Sequence, residues 1–445
     1  MEIKHIIAEI IAAYSGYYNP SKISKQTRNF LKGFDQSKIN SLFKFVLNSD
    51  AFDIDIHALE HLTLAIGHLQ AINNKKVLTS ENDAILQKVK RALGKDIFDQ
   101  CKKIAAAAGR AWHVLTGEII GFSPAIMEVK KQTWHACFGK DLLSSLNFKQ
   151  AIKDLNVLIL GDTGTGKELF ARVVQGAAFW QDGYDKAPTA SVNVAAFTEH
   201  LINSELFGHK KGAFTGATDD RVGLIKTSHR GTFFLDEVGD LPAGTQVKLL
   251  RVIETKKIRP VGSDKEDDAD VRYISATNKN ISHDDKFRSD LYQRLAGTII
   301  QLPPLRERSE QDIEEIAKSI IRRYIDEKSE YFAGGEVFQY LRERNKEGYQ
   351  WPGNVRELQS FIRGVILGIN IGGKSWRTPS ILKKLAMPDD DIPGELLKGQ
   401  WTEAQVKEWY YNRVRQLKEG NLTQTAKALG LNPSTLLRRK GKEND

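Results

Sequence analysis

Three glycines and a lysine stand at a spacing that handles phosphate: Gly161-Asp162-Thr163-Gly164-Thr165-Gly166-Lys167-Glu168. Glycines so placed let a turn fold with its backbone N–H groups pointing inward, where the oxygens of a polyphosphate would sit. A helix opening at Lys167 adds the partial positive charge of its N-terminus, and the lysine ammonium reaches the outer phosphates. Further on, Gly231-Thr232-Phe233-Phe234-Leu235-Asp236-Glu237 is an apolar run ending in two acids. Asp236 there would hold a magnesium ion, and Glu237 would polarise an attacking water. Together the two segments describe hydrolysis of ATP with Mg2+. Glu168 occupies the place where a phosphate loop commonly carries a metal-binding Ser or Thr, so metal binding leans on Asp236. Each segment alone has a plainer reading, a glycine-rich turn or two exposed acids after a buried strand.

These groups need a scaffold of strands that deliver loops to one edge. Between Gly117 and about Pro304, short apolar runs alternate with amphipathic stretches: Val157–Leu160, Thr232–Leu235, Val271–Ser275 and Thr298–Leu302. That alternation predicts a parallel sheet with crossover helices, with Val157–Leu160 feeding the glycine turn and Leu169–Val174 continuing as helix. Residues 1–115 read as helical throughout. Their apolar residues recur at helical spacing in Ile6, Ile7, Ile10 and Ile11, in Leu42, Phe43, Phe45 and Val46, and in Ala58, Leu59, Leu62 and Leu64. The predicted organisation is a helical N-terminal domain (1–115), an α/β subdomain (116–304), a helical lid (305–386), a linker (387–399) and a small helical unit (400–445). The stretch from Trp134 to Lys153 reads as a surface insertion.

The chain has 445 residues and a net charge of +9, which suits a polyanionic partner. Its two cysteines, Cys101 and Cys137, form no metal-ligand spacing or disulfide framework, in keeping with a reducing cytoplasm. The first residues lack a signal pattern, and no apolar run approaches the roughly 20 residues needed to cross a bilayer, so no membrane association is expected. His57-Ala58-Leu59-Glu60-His61 fits a zinc-protease pattern on one helix face. No third ligand accompanies it, and ordinary helix histidines, with His68 on a helix surface, are the reading retained.

A third glycine-bounded segment, Gly212-Ala213-Phe214-Thr215-Gly216-Ala217, completes the pattern. Its central aromatic is costly to expose unless it meets a partner or packs home. With this segment, the chain resembles the AAA+ domain of bacterial sigma-54-dependent activators, or enhancer-binding proteins, over roughly 117–385. The resemblance implies an ATP-driven ring, expected to be a hexamer, that remodels the closed complex of the sigma-54 RNA polymerase holoenzyme so that promoter DNA melts. It implies that Gly212, Ala213, Phe214, Thr215, Gly216 and Ala217 contact sigma-54, with a second moving loop in 257–270. Glu168 is the usual family residue after the lysine. Asn193 would hold Glu237 in check, and Asn278 would be the first sensor near the γ-phosphate. Arg288 and Arg294 would be arginine fingers reaching a neighbouring subunit, and Arg356, in Trp351-Pro352-Gly353-Asn354-Val355-Arg356, the second sensor. The N-terminal domain resembles no sensor module, and it lacks the strand–helix alternation of a phosphoacceptor domain.

The tail carries nine Lys and Arg against five Asp and Glu over 400–445. Residues 422–430 and 431–439 read as helix, glycine turn and second helix, with Asn432 as cap and Pro433 at the first helical position. Ser434, Thr435, Arg438 and Arg439 would face the major groove or phosphates of double-stranded upstream DNA. The tail resembles the Fis-type helix-turn-helix of the same activators. A helical hairpin for dimerisation is the plainer alternative. For the whole chain, the competing readings are a DNA-binding repressor that only senses nucleotide and an AAA+ remodeller of another target.

Overall fold

A computed structural model describes residues 3–14, 18–19, 22–32, 35–48, 56–76, 78–79, 83–180, 187–324, 337–345 and 347–367, with isolated positions between 402 and 426. The linker 387–399, the tail helices and Ser434, Thr435, Arg438 and Arg439 lie outside the described residues. Residues up to Arg363 belong to one compact unit.

The sheet carries the candidate site along one edge. Strands β1 (Val157–Leu160), β2 (Thr189–Asn193), β5 (Thr232–Asp236), β8 (Arg272–Thr277) and β9 (Thr298–Gln301) lie in the order β2-β5-β8-β1-β9. All four pairings are parallel, with Val157 opposite Ile274 and Asn193 opposite Asp236. Buried on both faces, β1 and the Phe233–Leu235 part of β5 are apolar runs, as parallel strands tend to be when helices cover each side, whereas β8 is buried throughout but carries Arg272, Ser275 and Thr277. The run Thr189-Ala190-Ser191-Val192-Asn193, too polar to stand out by hydropathy, is the strand that the sequence pattern misses. Two short hairpins sit outside the sheet: β3 (Gly208–His209) with β4 (Arg221–Val222), and β6 (Lys257–Ile258) with β7 (Asp267–Asp268).

The N-terminal region is helical as expected: α1 (Ile3–Tyr14), α2 (Lys25–Leu31), α3 (Gln36–Asn48), α4 (Ile56–Ile72), α5 (Ala84–Leu93) and α6 (Lys95–His113). Capping is explicit where it can be read. The Ser24 hydroxyl accepts from the Thr27 N–H, and Asp83 accepts from Ile85 and Leu86. A π-helical turn, Val114–Glu118, then leads into α7 (Pro124–Phe138), and α8 (Ser144–Asn147) and α9 (Lys149–Asp154) precede β1.

The segment Trp134–Lys153 is not a surface insertion. Trp134, Cys137 and Phe138 are fully buried and Leu142 and Ile152 nearly so. Trp134 meets Trp112 of α6 edge-to-face at 5.9 Å and Phe138 at 4.7 Å. Apolar groups of this size are driven out of water, and this segment supplies the surface on which the N-terminal helices rest. One contiguous core runs from Ile6 through Leu62 and Trp134 to Val157 and to Phe170 of α10 (Lys167–Gly176). Arg110 of α6 caps α10, donating through Nε to the Gly176 carbonyl at 2.9 Å and through Nη2 to Ala178 at 3.2 Å.

His68 is likewise not on a helix surface. Its ring is fully buried, edge-on to Tyr14 at 5.2 Å and Tyr18 at 5.6 Å. Desolvation pulls its pKa down to about 3, so it is a neutral member of an aromatic cluster. No group of three or more His, Cys, Asp or Glu that could hold a metal occurs among the described residues. Cys101 and Cys137 are free and buried, each thiol pushed up to about 12 by desolvation.

Beyond the sheet lie α11 (Glu199–Phe207), α12 (Leu224–Thr227), α13 (Ala243–Thr255) and α14 (Ser289–Leu295), then α15 (Glu310–Ile321), α16 (337–345) and α17 (Asn354–Leu367). Asp312, 1% exposed on α15, ties this helical region to the start of α7. Its carboxylate accepts from the Phe122 N–H at 2.7 Å, from the Ser123 N–H at 3.1 Å and from the Ser123 hydroxyl. Asp312→Ala should leave these donors unpaired and cost roughly 2–4 kcal/mol, read as a lower urea midpoint with an unchanged slope. Wild-type resistance to urea would show that the knot does not hold the fold.

Candidate active site

The glycine turn leaves β1 at Gly161 and enters α10 at Lys167, as the phosphate-binding reading requires. Gly164 has φ +81°, and a Cβ there would stand 2.3 Å from the Gly353 carbonyl oxygen, so the turn tolerates only glycine against the segment before α17. Lys167 is 7% exposed, with Nζ donating to the Gly161 carbonyl at 2.9 Å. Thr165 is buried and its hydroxyl donates to Asp162 at 2.8 Å, whereas Thr163 and Glu168 face outward.

Asp236 ends β5 and Glu237 begins the turn after it. Glu237 adopts φ +52° and ψ +47°, a left-handed conformation that costs a non-glycine residue and turns its side chain toward Lys167. One carboxylate oxygen, Oε1, lies 3.8 Å from Lys167 Nζ, and the other, Oε2, is buried without a hydrogen-bond partner. Burial raises the Asp236 carboxyl above its ordinary range, against the opposing pull of the Glu237 N–H and Lys167.

The side chain of Asn193 meets the neighbouring acid instead of Glu237: Nδ2 donates to Asp236 Oδ2 at 3.0 Å, and Oδ1 accepts from the Ala195 N–H. The parallel register that sets Asn193 opposite Asp236 brings this about. Asn278, just past β8, donates to the Thr163 hydroxyl at 3.0 Å. A cavity of about 450 Å³ opens over this edge, lined by residues 163–170, Asp236, Glu237 and Arg356.

Sequence reasoning missed several participants. Asn354, fully buried at the start of α17, donates to the Thr163 carbonyl at 3.0 Å and accepts from the Leu305 N–H at 2.6 Å. The Val355 N–H donates to the Gly164 carbonyl at 3.0 Å, so the segment leading to Arg356 grips the glycine turn directly. Arg308 donates to the Thr165 carbonyl at 3.2 Å and lines the cavity with Glu118, Ile119 and Ile120. Glu118 pairs with Arg172 of α10 at 2.6 Å. The run Leu305-Arg306-Glu307-Arg308, following β9 after Leu302-Pro303-Pro304, was the available signal for Arg308.

The remaining expected residues stand apart from this cavity. Arg288 and Arg294 are exposed and bonded to Asp290 and Glu254. The segment Gly212–Ala217 forms a small knob at the tip of the β3–β4 hairpin. The Gly212 N–H donates to Ala217 at 2.9 Å and the Ala217 N–H to Phe214 at 3.0 Å, with Gly212 at φ +79° and Gly216 at φ +99°. Phe214 is 39% exposed. The expected second moving loop is the β6–β7 hairpin, held by an ion pair of Lys257 with Asp268 at 2.5 Å.

Buried Lys167, the inward glycine turn, the helix start and two acids at the strand end fit a nucleotide phosphate chain. A hard cation on that chain fits Asp236, whose ionisation it would favour. Residues 140–301 match the family described as the Sigma-54 interaction domain. The hydrogenase transcriptional regulatory protein HoxA of Cupriavidus necator is 43% identical over 230 residues, 50% of this chain and 45% of that protein. The transcriptional regulatory protein GlrR of Escherichia coli K12 is 36% identical over 288 residues, 63% of this chain and 61% of GlrR. The aligned part of the chain thus spans roughly half the length of these relatives. Among solved structures, NtrX from Brucella abortus in complex with ADP has a TM-score of 0.45 and 24% identity, covering 81% of this chain and 76% of NtrX. No helix among the described residues is long and apolar enough to cross a membrane.

Proposed function

We propose that this chain, which carries a Sigma-54 interaction domain of AAA+ α/β fold and is related to sigma-54-dependent transcriptional regulators, hydrolyses ATP to remodel the closed sigma-54 polymerase–promoter complex into the open one. The observation that carries this reading is the joint presence of a complete phosphate site and an intact Gly212–Ala217 knob. The two are linked by continuous chain, from Asn193 beside Asp236, through α11, to β3 at the base of the knob.

In this reading the glycine turn and Lys167 bind the phosphates and Glu237 takes a proton from the attacking water at its unpaired Oε2. Asp236 would hold Mg2+, which when bound neutralises charge on the phosphates. Asn278 orients the water, and Asn193 restrains the acid pair through Asp236 until the partner engages. Arg356 reads the γ-phosphate from the lid. Arg288 and Arg294, paired with exposed Asp290 and Glu254 on their own chain, serve a neighbour's site in a ring, proposed to be a hexamer. Arg438 and Arg439, with Ser434 and Thr435, hold upstream DNA, and the site of action is the cytoplasm. The N-terminal helices regulate the ring through the α6–α10 contact.

The test is promoter melting in a purified system containing the full chain, sigma-54 holoenzyme and a supercoiled sigma-54 promoter. Permanganate-reactive thymines at the start site should appear with ATP and not with a non-hydrolysable analogue. Melting by polymerase carrying a different sigma factor, or none with sigma-54, would overturn the reading in favour of a remodeller of another target.

A further inference from the structure

Phe214 is the aromatic of the knob, and one ring meets it. The His209 imidazole lies 4.9 Å from the Phe214 ring at 64°, the edge-to-face arrangement that aromatic pairs favour. Unlike the knob, His209 is fixed. It is 9% exposed, and its Nδ1 lies 2.7 Å from the Ser204 hydroxyl, near the end of α11. Its backbone is held on two sides. His209 pairs with Arg221 across the β3–β4 ladder, and a parallel bridge joins it to Val261, where the Val261 N–H donates to Gly208 and the Lys210 N–H to Val261, both at 2.9 Å. Beyond Lys210 the ties are at the base of the knob: Asp220 accepts from the Lys211 N–H at 2.8 Å, and the Ala213 N–H donates to the Lys210 carbonyl at 3.0 Å. The knob's glycines at 212 and 216 lie in the left-handed region, and a Cβ on either would meet nothing within 4 Å.

A knob built on two permissive glycines would dissipate motion unless something rigid gripped its tip. We propose that His209 is the positioning residue of this loop: pinned by Ser204 and by its strand, it fixes where the Phe214 ring stands and passes movement of α11 to it. This rests on the reading of the knob as the sigma-54 contact. Ser204 acts only through His209, so the three side chains form a series, Ser204 to His209 to Phe214.

The experiment compares His209→Ala, His209→Phe, Ser204→Ala and the double alanine variant in the full chain, by two readouts. The first is hydrogen exchange of the loop amides, which needs no partner. Exchange of the Gly212–Ala217 amides should accelerate about tenfold or more in His209→Ala, while α11 and α10 stay protected. His209→Phe, which keeps a ring against Phe214, should retain most of the protection, and Ser204→Ala should lose part of it. The double variant should match His209→Ala alone, since residues acting in series do not add.

The second readout is promoter opening per ATP hydrolysed. It should fall about tenfold or more in His209→Ala, recover in His209→Phe, and leave ATP turnover within about twofold of wild type. Unchanged loop exchange in both single alanine variants would overturn the proposal. So would a Ser204 effect that adds in full to the His209 effect, or ATP turnover falling in step with opening. If wild type opened no sigma-54 promoter, the proposed function would fall, while loop exchange would still decide the role of His209.

Discussion

Glu237→Gln should bind ATP about as tightly as wild type and hydrolyse it roughly a thousandfold more slowly. The amide keeps the size of the carboxylate and the left-handed turn that carries it, but it cannot accept a proton from water. The loss falls on chemistry because Glu237 Oε2 is buried and, among the described residues, makes no hydrogen bond. Lys167→Ala should fail one step earlier. The buried ammonium, 2.9 Å from the Gly161 carbonyl, would pair with phosphate charge in ground and transition states alike, so its removal should abolish measurable nucleotide binding. Titration with a fluorescent ATP analogue beside a phosphate-release assay separates the two. Wild-type turnover in the Glu237 variant, or tight binding in the Lys167 variant, would sink the assignment.

Thr215→Ala and Phe214→Ala should produce the opposite phenotype, with ATP turned over and nothing opened. Neither side chain lines the nucleotide cavity, and the knob carrying them is closed by its own backbone hydrogen bonds. Binding of nucleotide and DNA and ring assembly should therefore survive in either variant. Open-complex formation at a sigma-54 promoter should drop about a hundredfold or more, because a tip that cannot engage its partner delivers none of the hydrolysis energy. Measuring phosphate release and permanganate reactivity in one tube gives both quantities. Normal melting by the Thr215 variant would remove the central support for the proposed function.

The candidate site was legible because its residues are local in sequence. A phosphate turn needs glycines and a lysine within eight residues, and Asp236-Glu237 directly ends a run of apolar strand residues. Four of the five sheet strands were found to within two residues at either end, since each carries a short β-branched or aromatic apolar stretch bounded by polar or turn residues. What was not legible depends on distant partners. The strand carrying Asn193 is polar, and only its register shows that this asparagine meets Asp236. Asn354 reaches Thr163 across 191 positions of sequence, and nothing around either residue announces the other. Trp134 and His68 were misplaced for one reason: each is buried by a segment far away in sequence, and the periodicity of one helix cannot say what covers it.

The single core shared by the N-terminal helices and α10 bears on how such proteins can be recombined. A regulator assembled from beads on a string can exchange its first bead by a cut in the linker. Here the cut would fall through a packed interior. A hybrid joined near residue 116 would strip Trp134 of the His68 and Trp112 rings that cover it and take the Arg110 cap from the end of the phosphate-loop helix. Grafting another N-terminal segment onto this α/β domain therefore means redesigning a hydrophobic interface, not choosing a junction. The same continuity makes the described N-terminal helices part of the load-carrying frame of the α/β domain rather than an accessory bolted onto it.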